Sequence, residues 1–307
     1  MTATDRKPLD GRSCYVPWMG GGSTLLFCSA LRGAGIDAKP VPESDQCTLE
    51  LASRHVSEQC YPQKVTLGNF LKVVTASNFK SEDTAFFMPT ASGPCRFGQY
   101  AAFTRQVLKQ YGAGDVQLLS PLFDDGYAAL GDNGTQAMHY GWWGLAAADV
   151  LRRVLLRLRP YELETGTTDR VYEETLTKLA EILSDQHTSQ RQKFRRLCRQ
   201  LAESAASFSS IPLDTAAARP IIGIVGEIFC RLDDFSNDNV VQRIETHGGE
   251  VWLAGLCEWV HYANHWEQVE LQAAGDWSLR RLRSWLSARI QHRDEEQIAA
   301  PFAAMLA

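Results

Sequence analysis

Several signals that would assign this chain to a common class are absent from its sequence. No two of the eight cysteines form a CxxC pair, so a ferredoxin-type cluster motif is missing. The segment Gly20-Gly-Gly-Ser-Thr24 is rich in glycine, but it does not match the GxxxxGK[ST] pattern of a P-loop. We therefore expect no ATP site in this segment. Any metal cluster would be assembled from separate loops.

The sequence also has few features of a membrane, secreted or nucleic-acid-binding protein. The longest apolar helix candidate, residues 142–158, is interrupted by one aspartate and three arginines, so it is too polar to cross a bilayer. Residues 1–7 are followed by no apolar run, so no secretory signal is visible. The net charge of −5 argues against a general nucleic-acid or membrane-surface partner. We expect a cytoplasmic protein whose cysteines are thiols or metal ligands.

The chain is long enough for more than one folded core. It has 307 residues, of which 45% are hydrophobic and 22% charged, as in ordinary globular proteins. Strand and helix patterns alternate over residues 1–138, which we predict to be an N-terminal α/β domain containing the Cys60 and Cys95 loops. Residues 139–218 show helical spacing only and predict a helical connector. Residues 219–307 predict a second, smaller α/β domain with C-terminal helices.

The alternation in the first domain predicts a parallel sheet covered by helices on both faces. Strands are predicted at residues 13–18, 36–41, 85–88 and 116–120, and helices at 64–77 and 97–111. Ser23 and Thr24 are predicted to cap the first helix, which ends near Gly33. In the last domain, the apolar run at residues 221–225 predicts a buried strand.

Two loops combine a cysteine with the start of a helix. Cys60 comes just before a predicted helix, and Cys95 follows a predicted strand and begins the next helix. Loops at the carboxyl ends of parallel strands face the ligand crevice, and helix N-termini favour anions and thiolate ligands. Gly93 and Pro94 would let the backbone approach a bulky inorganic group. This combination predicts that Cys60 and Cys95 ligate a low-potential cluster.

Basic residues accompany both cysteines. Lys64 and Arg96 add positive charge beside the two sulfurs, and we predict that they help to bind the cofactor. The other cysteines have a simpler explanation, because a free cysteine is most often a small buried hydrophobe. This explanation applies most directly to Cys28 and Cys198, which lie on apolar helical faces. His261 is predicted to be an ordinary core or surface histidine.

Several longer strings resemble a known family. They are CYPQKVTLGN at residues 60–69, FMPTASGPCRFGQY at 87–100, DDGY at 124–127, GIVGEIFCRLDDFSND at 223–238, GGEVW at 248–252 and EW at 258–259. Together they resemble the CoA-substrate-specific enzyme activases, relatives of the 2-hydroxyacyl-CoA dehydratases and benzoyl-CoA reductases. The strings occur in the family's order over most of the chain, and GPCRFGQY is the most specific of them.

The resemblance implies an iron–sulfur protein with flavodoxin-like domains. It implies a [4Fe–4S] cluster, with a double cubane as an alternative, on loops that include Cys60 and Cys95. It also implies an ATP-hydrolysing activator protein that donates one low-potential electron, and a CoA thioester as substrate. In related dehydratases that electron forms a ketyl radical. The chain would be the oxygen-sensitive, cluster-bearing component and not the ATPase.

The match to the family is incomplete. Larger members continue into a further Cys-Met-Pro loop, which is absent before this chain ends at Ala307. A cubane needs four ligands, so two positions are left for Cys230 or Cys257, a substrate atom, a larger homologous subunit or a second copy of the chain. Glu227 and Arg231 are predicted either to bind a phosphate or fix a cluster loop, or to form a structural ion pair.

Two other functions remain open at the level of sequence. The chain could be a non-catalytic scaffold or electron-relay subunit of such a complex, because its cysteine set is incomplete. It could also bind a nucleotide or CoA in a flavodoxin-like crevice without using its cysteines. The sequence identifies no catalytic residue and no particular substrate.

Overall fold

The computed structural model describes residue 9 and residues 11–56, 60–90, 95–121, 127–214, 216, 218–275 and 278–306. The chain divides into two compact units, residues 1–140 and 141–307, which we call the N-terminal and C-terminal units. The boundary between them falls within one helix, Gly134–Leu158. The division into three domains made from the sequence stays a prediction.

The N-terminal unit contains a four-stranded parallel sheet flanked by helices. Its elements are β1 (Ser13–Val16), α1 (Gly21–Gly33), β2 (Ala38–Pro40), α2 (Gln46–Ser53), α3 (Tyr61–Val74), β3 (Thr84–Phe87), α4 (Tyr100–Gln110), β4 (Gln117–Leu119) and the start of α5 (Gly134–Leu158). The strand order is β2-β1-β3-β4, and all three strand pairs are parallel. The predicted α/β class with a parallel sheet is confirmed.

The core of this unit lies between β3 and helix α3. All four residues of β3 are buried, and the Phe86 ring stacks on Phe70 of α3 with 4.2 Å between ring centroids. Helix α3 is buried on nearly every side, and helix α2 packs against its middle. A Cβ on Gly68 would lie 2.0 Å from the carbonyl oxygen of Thr48. Only glycine therefore permits these two helices to approach so closely.

The start of helix α1 differs from the prediction. Ser23 and Thr24 lie inside the helix, which begins at Gly21 after Gly20, whose φ is 81°. Glycine adopts this left-handed conformation without steric cost, so it can start the helix without a side-chain cap. The hydroxyl oxygen of Thr24 instead accepts a hydrogen bond from the backbone N–H of Met19, at 2.9 Å. The prediction of these two residues as caps was wrong.

The C-terminal unit is mainly helical and has a small second sheet. Its elements are most of α5, then α6 (Thr167–Ser184), α7 (Gln190–Ser209), β5 (Ile221–Ile224), α8 (Ile228–Leu232), α9 (Val240–Thr246), β6 (Glu250–Leu253), α10 (Leu256–Ala273), α11 (Leu279–Ala299) and α12 (Ala303–Leu306). Helices α6 and α7 pack together, as do α10 and α11. Strands β5 and β6 form a parallel pair, with Ile221 opposite Glu250.

Strand β5 is exposed, although its apolar sequence predicted a buried strand. Ile221 is 61% exposed and Ile222 is 39% exposed, and Trp252 on the neighbouring strand is also exposed. A paired strand covers the backbone of its neighbour, whereas side chains are buried by what packs on the faces of the sheet, and the side chains of β5 are largely uncovered there. The prediction of a buried strand at residues 221–225 was wrong.

Helix α5 is the longest in the chain, at 25 residues. Its apolar side chains are largely buried, including Trp142 and Trp143. It also carries the buried carboxyl of Asp149, which accepts a hydrogen bond from the backbone N–H of Cys257 at 2.7 Å. Within the described part of the chain, neither this helix nor any other is both long and apolar enough to cross a membrane.

Candidate functional site

Cys60 is positioned by the start of helix α3. It is the residue immediately before the helix, with φ −52° and ψ 122°, and the backbone N–H of Lys64 donates to its carbonyl oxygen at 3.3 Å. Pro62 follows in the first turn, where a missing N–H costs no helical hydrogen bond. The first turn contains no acidic residue. The half-buried thiol therefore lies at the partly positive end of a helix.

Cys95 has a similar position on the next connection. It immediately precedes a 3₁₀ turn, Arg96–Gln99, which continues into helix α4 at Tyr100. The N–H of Gly98 donates to the Cys95 carbonyl at 3.3 Å, and the Thr90 hydroxyl donates to the Gly98 carbonyl at 3.4 Å. These bonds tie the loop after β3 to the turn. The Cys95 thiol is exposed.

A side-chain contact links the two cysteine segments. The Sγ atom of Cys60 lies 2.9 Å from the hydroxyl of Tyr100, and the Tyr100 side chain is buried. Tyr100 is five residues after Cys95, so this contact brings the beginnings of α3 and α4 together. The ring of Phe97 packs edge-on against Tyr100, with 5.4 Å between centroids. Phe97 and Cys60 both pack on the same apolar core.

The parallel topology explains why these segments meet. Helix α3 leads into β3, so it runs back across the sheet and begins near the carboxyl ends of the strands. The loop after β3 leaves from that same edge and reaches Cys95. Two residues predicted to shape this loop, Gly93 and Pro94, lie outside the described residues. The same is true of Asp124 and Asp125 in the DDGY string.

The eight thiols differ in burial: Cys14, Cys28 and Cys257 are buried, whereas Cys198 is half-buried like Cys60. Burial raises the pKa of Cys28 to about 12, and it raises the pKa of Cys14 further, with help from the charge of Asp37. Burial also raises the pKa of Cys257, to which the nearby Asp149 carboxyl contributes. The pKa of Cys198 is raised for the same main reason. In all four side chains the raised pKa favours the neutral thiol over the thiolate.

The other four thiols are at least partly accessible. They are Cys47, Cys60, Cys95 and Cys230. Cys47 is exposed in the first turn of α2. The next residue, Thr48, packs against Gly68 in the middle of α3. Gly68 is roughly 12 Å along the helix from Cys60. Cys230 belongs to the C-terminal unit, and its proposed role as a ligand stays a prediction.

Lys64 and Arg96, the basic residues predicted to help bind the cofactor, lie on the same segments as Cys60 and Cys95. Lys64 is half-buried in the first turn of α3, and Arg96 is exposed directly after Cys95. Both charges are therefore carried by the two segments that the Cys60–Tyr100 contact joins. Their predicted contribution to cofactor binding stays a prediction.

Glu227 and Arg231 have local contacts in the C-terminal unit. The Glu227 carboxylate accepts a hydrogen bond from the backbone N–H of Cys230 at 2.8 Å and so caps helix α8. A guanidinium nitrogen of Arg231 lies 3.5 Å from the Gly255 carbonyl oxygen. Both contacts stabilise the loops around β5 and β6. The sequence had left phosphate binding and an ion pair open for these residues.

Tyr100 is a site residue that its sequence context did not indicate. Its string, GPCRFGQY, was noted, but the tyrosine received no role. The available signal was its position at the start of a helix five residues after a candidate ligand. That spacing alone does not show which way the ring points, and only the packing against Phe97 and Cys60 reveals it.

Comparisons with known protein families, with curated proteins and with solved structures found no match to this chain. The fold and the arrangement of the thiols are thus the observations from which a function can be inferred.

Proposed function

We propose that this chain is an iron–sulfur protein related to the 2-hydroxyacyl-CoA dehydratases and their activases, with Cys60 and Cys95 as cluster ligands. In this proposal it accepts a low-potential electron from an ATP-hydrolysing partner, for reductive or radical chemistry on a CoA thioester. The observation that carries the proposal is the contact between Cys60 and Tyr100, which joins the two cysteine segments at one edge of the sheet.

The chemical state of the thiols supports this choice of ligands. A cluster ligand must be deprotonated and must be reached by iron. Cys60 and Cys95 are accessible and stand before helical turns, whereas Cys14 and Cys28 on the same sheet and its first helix are buried with raised pKa values. Burial therefore limits access of iron to Cys14 and Cys28, whereas iron can reach Cys60 and Cys95.

The strand order supports a flavodoxin-like assignment of the N-terminal unit. The order β2-β1-β3-β4 is that of the first four strands of a flavodoxin-like sheet, where ligands bind at the carboxyl ends between β1 and β3. The segment that leads to Cys95 follows β3. This agreement concerns architecture, and the chemistry of the thiols carries the functional part of the proposal.

The donor set fits part of a cubane. Iron–sulfur clusters are usually held by four thiolates, and this edge of the sheet supplies two. The remaining positions are assigned to a second polypeptide, either a larger cluster-bearing homologue or another copy of this chain. The Tyr100 hydroxyl would donate a hydrogen bond to the Cys60 sulfur, and such bonds adjust the reduction potential of a bound cluster. When bound, the cluster supplies one-electron transfer.

The incomplete donor set favours one variant of this function. A chain with two ligands can act as a scaffold or electron relay that shares its cluster with a catalytic subunit. The two variants differ in whether the iron-loaded chain reduces or dehydrates a CoA thioester when it is mixed with its activator alone. Turnover under those conditions supports a catalytic role, and turnover only after addition of the homologue supports the relay.

Iron binding is the first test. The full chain is purified and reconstituted without oxygen with Fe²⁺ and sulfide, and iron, sulfide and the visible absorption spectrum are measured. We expect a brown protein. Replacing Cys60→Ser or Cys95→Ser should remove most of the iron and colour, since each change removes a thiolate ligand.

Cys198→Ser is the matched control. Cys198 is half-buried like Cys60 but lies in helix α7 and is not one of the proposed ligands, so this change should leave iron content and colour unaltered. Equal iron loss in all three variants, or a colourless wild-type chain after reconstitution, would show that Cys60 and Cys95 do not hold a cluster.

A further inference from the structure

Two histidines and one glutamate converge on the helical hairpin of the C-terminal unit. His261 belongs to α10, and His292 and Glu295 belong to α11. One ligand atom from each residue lies within 4.8 Å of the others. His292 and Glu295 are three residues apart, so they lie on the same face of their helix. His261 faces them from the neighbouring helix.

Neighbouring contacts hold these side chains in place. The His261 ring packs edge-on against Trp142, with 5.3 Å between centroids. The Trp142 indole N–H donates to the carbonyl oxygen of Gln291 at 3.0 Å, and the Asn264 amide donates to the Gln291 side chain at 2.7 Å. Gln291 directly precedes His292. The backbone that carries His292 is thus anchored from two other helices, which is the support that a metal site needs.

Each of the two imidazoles also contacts a carboxylate. A carboxylate oxygen of Glu295 contacts Nε2 of His261. The Glu296 carboxylate lies 3.3 Å from Nε2 of His292, so each imidazole has an adjacent carboxylate. The two imidazole rings are nearly perpendicular, at 83° with centroids 6.0 Å apart, so they do not stack on one another. A carboxylate on the ring nitrogen that does not bind the metal orients a ligating histidine and increases its basicity, a role open to Glu296 but not to the proposed ligand Glu295.

We propose that His261, His292 and Glu295 bind one divalent transition-metal ion, of which Zn²⁺ is the best match. Two imidazole nitrogens and a carboxylate oxygen are a common donor set for zinc and for non-haem iron. This site is separate from the thiol pair and does not depend on the function proposed for it. Three protein ligands leave a coordination position for water or an external ligand.

The spacing of the donor atoms allows this site to form with small movements. Ligand atoms about 2.1 Å from a tetrahedral ion are about 3.4 Å apart, so no separation needs to close by more than roughly 1.4 Å, and the closer His261–Glu295 contact would lengthen. The His292 side chain is 67% exposed and can make this movement without disturbing the core. A bound ion would cross-link α10 to α11.

The test must separate this site from thiol sites, because Zn²⁺ and Co²⁺ also bind cysteine. Metal-free full-length protein is therefore prepared with Cys60→Ser and Cys95→Ser, and Zn²⁺ is titrated by calorimetry. The same protein is titrated with Co²⁺ and followed by visible absorption. We expect one ion per chain at this site, with Co²⁺ bands of a nitrogen and oxygen donor set and no thiolate-to-metal band associated with it.

Single substitutions locate the ion. His261→Gln, His292→Gln and Glu295→Gln should each weaken Zn²⁺ binding by more than roughly 100-fold, because changing even an outer partner costs 10–100-fold. His265→Gln is the matched control, since this exposed histidine lies one turn further along α10. It should bind Zn²⁺ as the parent does.

His292→Gln guards against a misfolded variant, because its side chain is largely exposed and circular dichroism should be unchanged. If His292→Gln and His265→Gln bind Zn²⁺ as tightly as their parent, the proposal is wrong. It is equally wrong if the parent binds no ion, or if its Co²⁺ spectrum shows only thiolate ligation. None of these results bears on iron binding by Cys60 and Cys95.

Discussion

The two parallel sheets of this chain bury similar apolar strands to very different extents. In the N-terminal unit, β3 has a paired strand on each side and all four residues are buried. In the C-terminal unit, β5 pairs with β6 alone, and Ile221 is 61% exposed. Strand composition is thus a poor guide to burial, because side-chain burial depends on what packs on the faces of the sheet.

The two sheets also differ in the interactions that stabilise them. The N-terminal sheet is held by close packing between β3 and α3. The second sheet is stabilised by hydrogen bonds to Glu250, the first residue of β6. The Glu250 side chain is buried, and its carboxylate accepts hydrogen bonds from Arg157 at 2.6 Å and from the Tyr161 hydroxyl at 2.7 Å. Apolar packing should therefore dominate stability in the first unit, and charged hydrogen bonds should matter more in the second.

The largest difference is expected for equivalent apolar truncations in the two sheets. Phe86→Ala removes a buried ring stacked on Phe70 and should lower the free energy of unfolding by about 3–5 kcal/mol. Ile221→Ala, whose side chain is 61% exposed, should cost less than about 1 kcal/mol. Urea unfolding of both variants, followed by circular dichroism, measures the difference. Similar losses would mean that β5 is covered in solution.

An intermediate effect on the free energy of unfolding is expected when a hydrogen bond to Glu250 of β6 is removed. Tyr161→Phe removes a hydrogen bond to the buried Glu250 carboxylate and should cost about 1.5–3 kcal/mol. Tyr262→Phe is the matched control in the same unit, because Tyr262 is 62% exposed and its change should cost less than about 0.5 kcal/mol. Thermal unfolding of the two variants tests this contrast. Equal losses would show that the bond to Glu250 contributes nothing measurable.

The smallest expected effect depends on pH. Burial acts to raise the pKa of Glu162, but hydrogen bonds from Thr168 and the backbone N–H of Gly166 outweigh it, so the pKa lies below 4.5. A lowered pKa stabilises the folded state above pH 4.5, and this contribution disappears as the pH falls through the lowered value. Glu162→Gln should cost about 0.5–2 kcal/mol at pH 7, because the bonded N–H groups lie at the start of α6.

The same substitution should cost progressively less as the pH falls below 4.5 and Glu162 becomes protonated, because protonated glutamate and glutamine are both neutral. Unfolding in urea at several pH values measures this convergence. A difference that stays constant over this range would contradict the assignment of the lowered pKa.

The sheet of the N-terminal unit was predictable from sequence because its strands are short apolar runs that end in glycine or proline. Helix α2 was not predicted. Its cap, Asp45, forms a reciprocal pair with Thr48, whereas the usual pattern has glutamate or glutamine at that position. The exposure of β5 was also beyond prediction, because it depends on what packs on the faces of the small sheet and not on the apolar residues of the run itself.

The candidate site was predictable only in part. The parallel topology indicated that the segments of Cys60 and Cys95 would lie at one edge of the sheet, and the contact with Tyr100 agrees with that expectation. The direction of the Tyr100 ring was not predictable, since it depends on packing. The metal-ligand candidates show the same limit: the spacing of His292 and Glu295 is visible in sequence, but their proximity to His261 requires the helical hairpin.

Electron paramagnetic resonance of the anaerobically reconstituted full chain, reduced with dithionite, tests the central claim most directly. The account predicts the signal of a reduced [4Fe–4S] cluster in the wild-type chain and in Cys198→Ser, and its loss in Cys60→Ser and Cys95→Ser. Tyr100→Phe should keep the signal but shift the reduction potential, because a hydrogen bond to the Cys60 sulfur is removed. No cluster signal in the wild-type chain, or an unchanged signal in both cysteine variants, would contradict the account.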